Sequence, residues 1–387
     1  MKNFGIAGSG RWAREIIKIL HNTLDKRSSI TIYSGNGTKD ITKWLDDNSF
    51  MDRTVYLRPY NSIGQETIDA FIVANAAKDH FKITKKIINE NIPVLVEKPL
   101  CLVYEETNHL IELASKKGVI LGSSQIFLFS GYLNKLKKIL KSNKSVSSIS
   151  FCWKDPKNEI RYGQKKKFDP GVPIFKDLMP HILSILIFII EGKKITFDSL
   201  FFEGGGGNLT IKIKIDNIPC NIAIQRNCNQ RIRSIEIAGE EIIELDFSKE
   251  PGLIKKGKIE SNADQDWKKS ESPATKMIQS FITTISQKKE LDTRIKPNSE
   301  IYYLIMLIEK EYRRKQEDYF REILNNKVDK EEYFEYFMKE YILEMEDLDN
   351  NEIDTILKKI YKSISSKEHN YIEILNKDLA AFVRMHL

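Results

Sequence analysis

Three groups of residues in this 387-residue chain carry chemistry. Near the start, Gly8-Ser9-Gly10-Arg11-Trp12-Ala13 has the G-x-G-x-x-A spacing that lets a backbone turn approach a pyrophosphate. Further on, the apolar run Val94-Leu95-Val96 ends in Glu97-Lys98-Pro99-Leu100. Pro99 cannot continue a strand ladder and biases Lys98 toward an extended backbone. In the middle of the chain Asp177 and His181 stand four residues apart, so on a helix they share a face. An ammonium can stabilise developing negative charge, and an imidazole exchanges a proton near neutrality. Plainer readings stand beside these: a solvated ion pair at a strand end, a carboxylate favoured by a helix dipole, and a core histidine.

The elements that must hold these groups follow from periodicity. Residues 3–7 read as a strand, and an amphipathic helix follows from Ala13 to about His21, so the glycines lie in a strand–turn–helix context. There Gly8 allows the tight turn, Gly10 the close approach, and Ala13 the packing of helix on sheet. Backbone N–H groups at the helix start, around Arg11, Trp12 and Ala13, face the phosphates, and Arg11 can add a charge-assisted contact. Residues 30–33, 54–57, 70–74, 94–96 and 119–123 read as further strands, with helices at 81–89 and 104–117. Strands alternating with helices predict a parallel, doubly wound sheet, whose ligands bind at the strands' carboxyl ends. Lys98 is then at such an end. After residues 30–33 no carboxylate appears before Asp40; Ser34 and Lys39 are there instead, a hydroxyl and a cation that suit a 2′-phosphate. The expected cofactor is NADP, with NAD as the alternative.

The second half reads differently. Residues 146–153, 197–202, 209–215, 220–225, 234–238 and 241–245 are strand-like without long helices between them, and 209–215 alternates apolar and polar as a sheet with one wet face does. Gly204 to Gly207 reads as a hairpin connection. Helices are expected at 182–190, 274–286 and 301–314, with Pro180 in the first turn of the first of these or just ahead of it. Residues 317–387 contain neither glycine nor proline, and apolar positions such as Phe334, Phe337, Tyr341 and Met345 suggest a helical appendage.

Composition bounds the partners. Lys+Arg 61 against Asp+Glu 54 gives a net charge of +7, a mixed surface and no nucleic-acid footprint. No apolar run is long enough for a bilayer, so no membrane partner is expected. The chain runs directly into its first strand without a signal peptide, and its four cysteines lack zinc-type spacing; reduced thiols, no metal site and a cytoplasmic location are expected.

Together the Gly8 fingerprint, Val73-Ala74 followed by His80, and Glu97-Lys98-Pro99-Leu100 resemble the Gfo/Idh/MocA oxidoreductases, through about residue 316. The resemblance implies an α/β protein: a Rossmann domain over 1–123, an α+β domain with a mainly antiparallel sheet over 124–316 whose open face covers the nicotinamide, and a helical extension over 317–387. It implies cofactor contacts from Ala74, His80, Glu97 and Lys98, and maps Lys98, Asp177 and His181 onto the family's catalytic set. On that mapping Lys98 holds the reacting oxygen, His181 exchanges its proton, Asp177 orients substrate or His181, and Glu97 holds local backbone or a nearby cation. Departures from the family pattern surround Asp177: Gly171 alone of a glycine triplet, and Met179 where glycine is usual.

The implied activity is hydride transfer between nicotinamide and a carbinol or carbonyl carbon of a sugar or nucleotide-linked sugar. The alternatives are an imine or carbonyl reductase of secondary metabolism, and a non-catalytic cofactor-binding scaffold acting through the C-terminal helices. A loop containing Arg161, Tyr162, Gln164 and Lys165 to Lys167 supplies cations for a diphosphate-bearing substrate. A homo-oligomer is expected, with 317–387 packing on the chain's own body, a second subunit or a pathway partner.

Overall fold

The computed structural model describes residues 3–35, 38–50, 55–142, 145–156, 159–161, 164–165, 172–190 and 194–324. Contacts divide the chain into two compact units. The first comprises Met1–Lys137, Leu183–Ile189 and Gln265–Tyr303, and the second Lys138–Ile182, Ile190–Asp264 and Leu304–Leu387. Residues 183–189 and 265–303, which the sequence assigns to 124–316, therefore group with the first unit.

The first unit is built on six parallel strands: β1 (Asn3–Ala7), β2 (Ser29–Tyr33), β3 (Val55–Arg58), β4 (Ala70–Val73), β5 (Val94–Val96) and β6 (Leu121–Ser123), in the order β3-β2-β1-β4-β5-β6. Its helices include α1 (Arg11–Thr23), α2 (Thr38–Asp47), α3 (His80–Asn89), α4 (Tyr104–Lys117) and the start of α5 (Gly131–Ser142). Val94, Leu95 and Val96 are wholly out of water. Strands covered on both faces read as continuous apolar runs, which is why β4 and β5 are visible in the sequence. The strand order reverses between β1 and β4, so the crevice for a ligand opens at their carboxyl ends. The fold class expected from the sequence is the one observed.

The second unit holds eight strands: β7 (Val146–Pro156), then, after a two-stranded ribbon of β8 (Ile160–Arg161) and β9 (Gln164–Lys165), β10 (Ile195–Glu203), β11 (Asn208–Ile215), β12 (Ile218–Cys228), β13 (Ile232–Gly239), β14 (Ile243–Asp246), β15 (Leu253–Lys256) and β16 (Ile259–Asn262). Neighbours are antiparallel except β12 and β7, which run parallel. Leu209, Ile211, Ile213 and Ile215 are buried while Thr210, Lys212 and Lys214 are not, so the sheet has the one wet face that alternation predicts. The glycine run turns β10 into β11 as a hairpin.

The helix carrying Asp177 and His181, α6 (Ile174–Ile190), starts eight residues before the expected 182. The carbonyl of Pro173 accepts from the N–H groups of Lys176 and Asp177 at 3.0 and 3.3 Å and opens its first turn. Pro180 therefore lies inside the helix, where it removes one backbone hydrogen bond. The apolar run at Ile174 and Phe175 and at Leu178 and Met179 is buried and outweighs that loss. Two further helices, α7 (Pro273–Ser286) and α8 (Ser299–Leu324), complete the described chain. The expected helical extension falls within α8 up to residue 324; 325–387 lie outside the described residues. Among the described residues no helix is long and apolar enough to cross a membrane.

Candidate active site

Gly8 ends β1 with φ +129°, in the region that favours glycine, and its N–H donates to the Tyr33 carbonyl at 2.8 Å. A Cβ there would stand 2.6 Å from the carbonyl oxygen of Ala74 and 2.9 Å from the nitrogen of Asn75, so the chain's own packing demands glycine. Gly10 is the opposite case. It is the N-cap of α1 with φ −72° and ψ 179°, a conformation any residue adopts, and a Cβ would meet nothing within 4 Å. The chain's own packing does not demand glycine there. Arg11, Trp12 and Ala13 form the first turn of α1, whose backbone N–H groups point toward the helix N-terminus. Ala13 is fully buried, Arg11 and Trp12 half-buried. This open cradle before a helix N-terminus is what a pyrophosphate requires.

At the end of β2, the Ser34 hydroxyl lies 3.0 Å from that of Ser9, and the Ser34 N–H donates to the Arg58 carbonyl at 2.9 Å. Lys39 falls in α2, but its side chain is outside the described residues. The sequence did not reveal Arg58 and Glu66 beside this end. Arg58 is in register with Tyr33, and its guanidinium contacts Glu66 at 2.6 Å. Burial, with Glu66 adding to it, pushes the Tyr33 hydroxyl up to about 12.

The Lys98 segment is held at several backbone points. The Glu97 N–H donates to the Val73 carbonyl and the Ser124 N–H to the Val96 carbonyl, both at 2.8 Å. Lys98 itself is half-buried. Burial raises the Glu97 carboxyl above its ordinary value; the Trp12 indole, the Ser124 hydroxyl and Lys98 oppose that. Glu97 lies close to Trp12 at the start of α1 and to Ser124 past β6. His80 departs from expectation. It is 1% exposed, with Nδ1 2.8 Å from the Pro99 carbonyl and Nε2 3.1 Å from that of Asn75. Its ring nitrogens both face backbone carbonyls. Burial lowers its pKa, against the pull of those carbonyls. Ala74, just past β4, donates its N–H to Ala7 at 2.8 Å.

In the second unit, Asp177 lies in the first turn of α6, where its charge complements the helix dipole. Its carboxylate is 3.4 Å from Nη2 of Arg226, whose Nη1 donates to the Val172 carbonyl at 3.1 Å. Arg226 is 6% exposed, and the Asp177 side chain retains 26% of its surface. His181 stacks on Trp153 with ring centroids 5.9 Å apart and planes within 9°. On Trp153 also sits the Arg233 guanidinium, 4.1 Å from the ring centroid and bonded to Asp155 at 3.1 Å. Lys176, one residue before Asp177, is buried and reaches Glu309 of α8 at 2.7 Å, and Arg313 completes the pair. Burial would raise Glu309, but these two cations outweigh it and hold the carboxyl below its ordinary value.

Of the loop residues expected to meet substrate, Arg161 lies in β8 and Lys165 in β9, with Arg161 opposite Gln164; their side chains, and Tyr162 entirely, are outside the described residues.

Residues 2–125 match the family model GFO_IDH_MocA, described as an oxidoreductase family with an NAD-binding Rossmann fold. The matched segment, less than half of the chain, is similar to that family. An uncharacterized oxidoreductase of Schizosaccharomyces pombe is 29% identical over 140 residues, 32% of this chain and 38% of that protein; a Bacillus subtilis relative is matched over 36% of its length. The match thus spans little more than a third of these curated relatives. Solved structures extend the likeness in fold to both units. An Agrobacterium radiobacter oxidoreductase in complex with NAD+, L-tartaric acid and magnesium has TM-score 0.64 at 15% identity, over 80% of this chain and 96% of that one. The UDP-N-acetylglucosamine 3-dehydrogenase of Acidithiobacillus ferrooxidans has TM-score 0.63 at 14% identity, over 79% and 94%. A Synechocystis biliverdin reductase in complex with biliverdin and NADP+ has TM-score 0.59 at 15% identity, over 80% and 97%.

The residues present here fit a nicotinamide dinucleotide: open space at Gly10, the N-terminus of α1, and strand ends at the switch point. Gly8, Gly10, Ala74, Glu97 and Lys98 come together around the carboxyl ends of β1, β4 and β5. Lys98 belongs to the first unit and Asp177 and His181 to the second. Arg226, Trp153 and Arg233 escaped the sequence reading. Their one signal was alternation, which places two arginines on the apolar faces of β12 and β13.

Proposed function

We propose that this chain is an NAD(P)-dependent oxidoreductase that passes hydride between nicotinamide and a carbinol or carbonyl carbon of a sugar or nucleotide-linked sugar. The observation that carries the reading is Lys98, at the carboxyl end of β5 in the sheet whose switch point leaves open space where a Cβ of residue 10 would stand. When bound, the dinucleotide supplies or accepts the hydride. Gly8, Gly10 and the first N–H groups of α1 hold its pyrophosphate. Lys98 donates a hydrogen bond to the reacting oxygen and stabilises alkoxide charge. His181, its ring plane set by Trp153, exchanges that oxygen's proton. Asp177, steadied by Arg226, still presents carboxylate surface to substrate hydroxyls. NADP is the preferred cofactor in this reading, because Ser34 and no carboxylate follows β2 and Lys39 is close in sequence.

Titrating purified protein with NADPH and NADH, then following nicotinamide absorbance over a panel of UDP-linked sugars, polyols and cyclic imines, tests this. NADPH is expected to bind about tenfold more tightly, one charge-assisted phosphate contact being worth roughly 1.5–3 kcal/mol. A UDP-linked sugar is expected to turn over. Tighter NADH binding overturns the cofactor preference. Turnover confined to imines moves the reading to a reductase, and binding without turnover of any member favours a scaffold.

A further inference from the structure

One peptide unit beside Lys98 is gripped at both of its polar groups. The carbonyl of Pro99 lies 2.8 Å from Nδ1 of His80. The N–H of Leu100, the other half of the same peptide, donates to the Tyr302 hydroxyl at 2.9 Å. Pro99 and Leu100 are buried, and His80 and Tyr302 are 1% and 4% exposed. β5 has already ended at Val96, so this peptide has no ladder partner, and two side chains from distant positions supply what the ladder does not. His80 opens α3, and Tyr302 lies in the first turn of α8.

Each grip is referred to a neighbouring strand. The other nitrogen of His80 faces the carbonyl of Asn75, just past β4, and the Ala74–Asn75 backbone is what packs against Gly8. The Tyr302 hydroxyl also lies near the side chain of Ser123, the last residue of β6, without a formed hydrogen bond. β4 and β6 flank β5 on its two sides. The peptide after Lys98 is thus tied through His80 to the end of β4 and held by Tyr302 beside β6.

We propose that His80 and Tyr302 are positioning residues for Lys98, clamping the Pro99–Leu100 peptide so that the ammonium is presented to the reacting oxygen. This rests on the role given to Lys98 above. A lysine side chain is long and flexible, so drift of its Cα is magnified at its tip, and a misplacement of about 1 Å can cost on the order of a hundredfold in rate.

The test uses Tyr302→Phe, His80→Gln and the double variant, each first checked for native circular dichroism and for NADPH affinity by fluorescence titration. Affinity is expected to stay within about threefold, because the pyrophosphate cradle is untouched. Lys98 acylation by sulfo-N-hydroxysuccinimide acetate, read by peptide mass spectrometry, should speed up several-fold in each variant. On the UDP-linked sugar that turns over best, kcat should fall about tenfold to a hundredfold with KM little changed. The double variant should be scarcely worse than the poorer single one, since both release the same peptide. Unaltered Lys98 acylation in Tyr302→Phe overturns the clamp. So does full kcat in that variant when Lys98→Met is inactive. If Lys98→Met itself keeps its turnover, the reading of Lys98 fails instead, and acylation rates alone decide the clamp.

Discussion

Replacing Lys98 with methionine is expected to lower turnover by about 10²- to 10³-fold, the range for removing one donor from a developing oxyanion. Methionine keeps much of the lysine stem's bulk and removes the charge and all three donors. The segment's backbone bonds, from Glu97 to Val73, from Ser124 to Val96 and from Leu100 to Tyr302, do not involve the Lys98 side chain, so the loop should keep its course. Nucleotide affinity should accordingly change little, because Gly8, Gly10 and the start of α1 form the phosphate cradle. The measurement is kcat on the substrate selected from the panel, together with the NADPH dissociation constant. Turnover within twofold of the parent would remove Lys98 from the mechanism; a parallel loss of nucleotide binding would mean that its charge serves the cofactor and not the reacting oxygen.

The second large effect separates two glycines that sequence treats alike. Gly8→Ala is expected to destabilise the first unit by roughly 2–6 kcal/mol, the sum of backbone strain at positive φ and overpacking. The atoms in the way are the carbonyl of Ala74 and the nitrogen of Asn75, which are backbone and cannot swing aside. The expected drop in Tm is on the order of 5–15 °C. Gly10→Ala should leave Tm within about 2 °C, since nothing lies within 4 Å of its Cβ and its φ is ordinary. Its effect should instead appear as NADPH affinity weakened about tenfold or more, a Cβ now standing where the pyrophosphate must come. Calorimetry and fluorescence titration of the two variants decide the matter. Equal melting would refute the packing argument for Gly8, and unchanged affinity in Gly10→Ala would refute the cradle.

How far the sequence could be read depended on the range of the forces involved. The parallel sheet was legible because a doubly covered strand such as Val94-Leu95-Val96 must be apolar throughout, and the glycine turn sits where strand gives way to helix. The β15–β16 hairpin went unread because Leu253-Ile254-Lys255-Lys256 is largely exposed and lacks alternation. The start of α6 was misplaced because Pro180 reads locally as a helix boundary, whereas burial of Ile174, Phe175 and Met179 carries the helix through it. His80 was legible as a residue of interest but not as a brace, since its partners are backbone carbonyls at Asn75 and Pro99, which leave no trace in side-chain chemistry. Arg226 with Asp177, Arg233 with Trp153, and Tyr302 with Leu100 join positions far apart in sequence, and only the folded chain reveals such pairs.

The buried Lys176–Glu309 contact bears on Asp177 and His181 without touching either. On a helix, consecutive side chains emerge about 100° apart, so fastening Lys176 to α8 sets the azimuth at which Asp177 leaves the axis, and His181 one turn later shares it. Arg226 at Asp177, Trp153 at His181 and Tyr312 at Phe175 hold the same helix at other points along its length. The ion pair is a key in that shaft. A helix nearly all of whose side chains are greasy thereby delivers a carboxylate and an imidazole along one fixed line, and the helix that holds the other half of the key, α8, becomes a place from which that line can be turned.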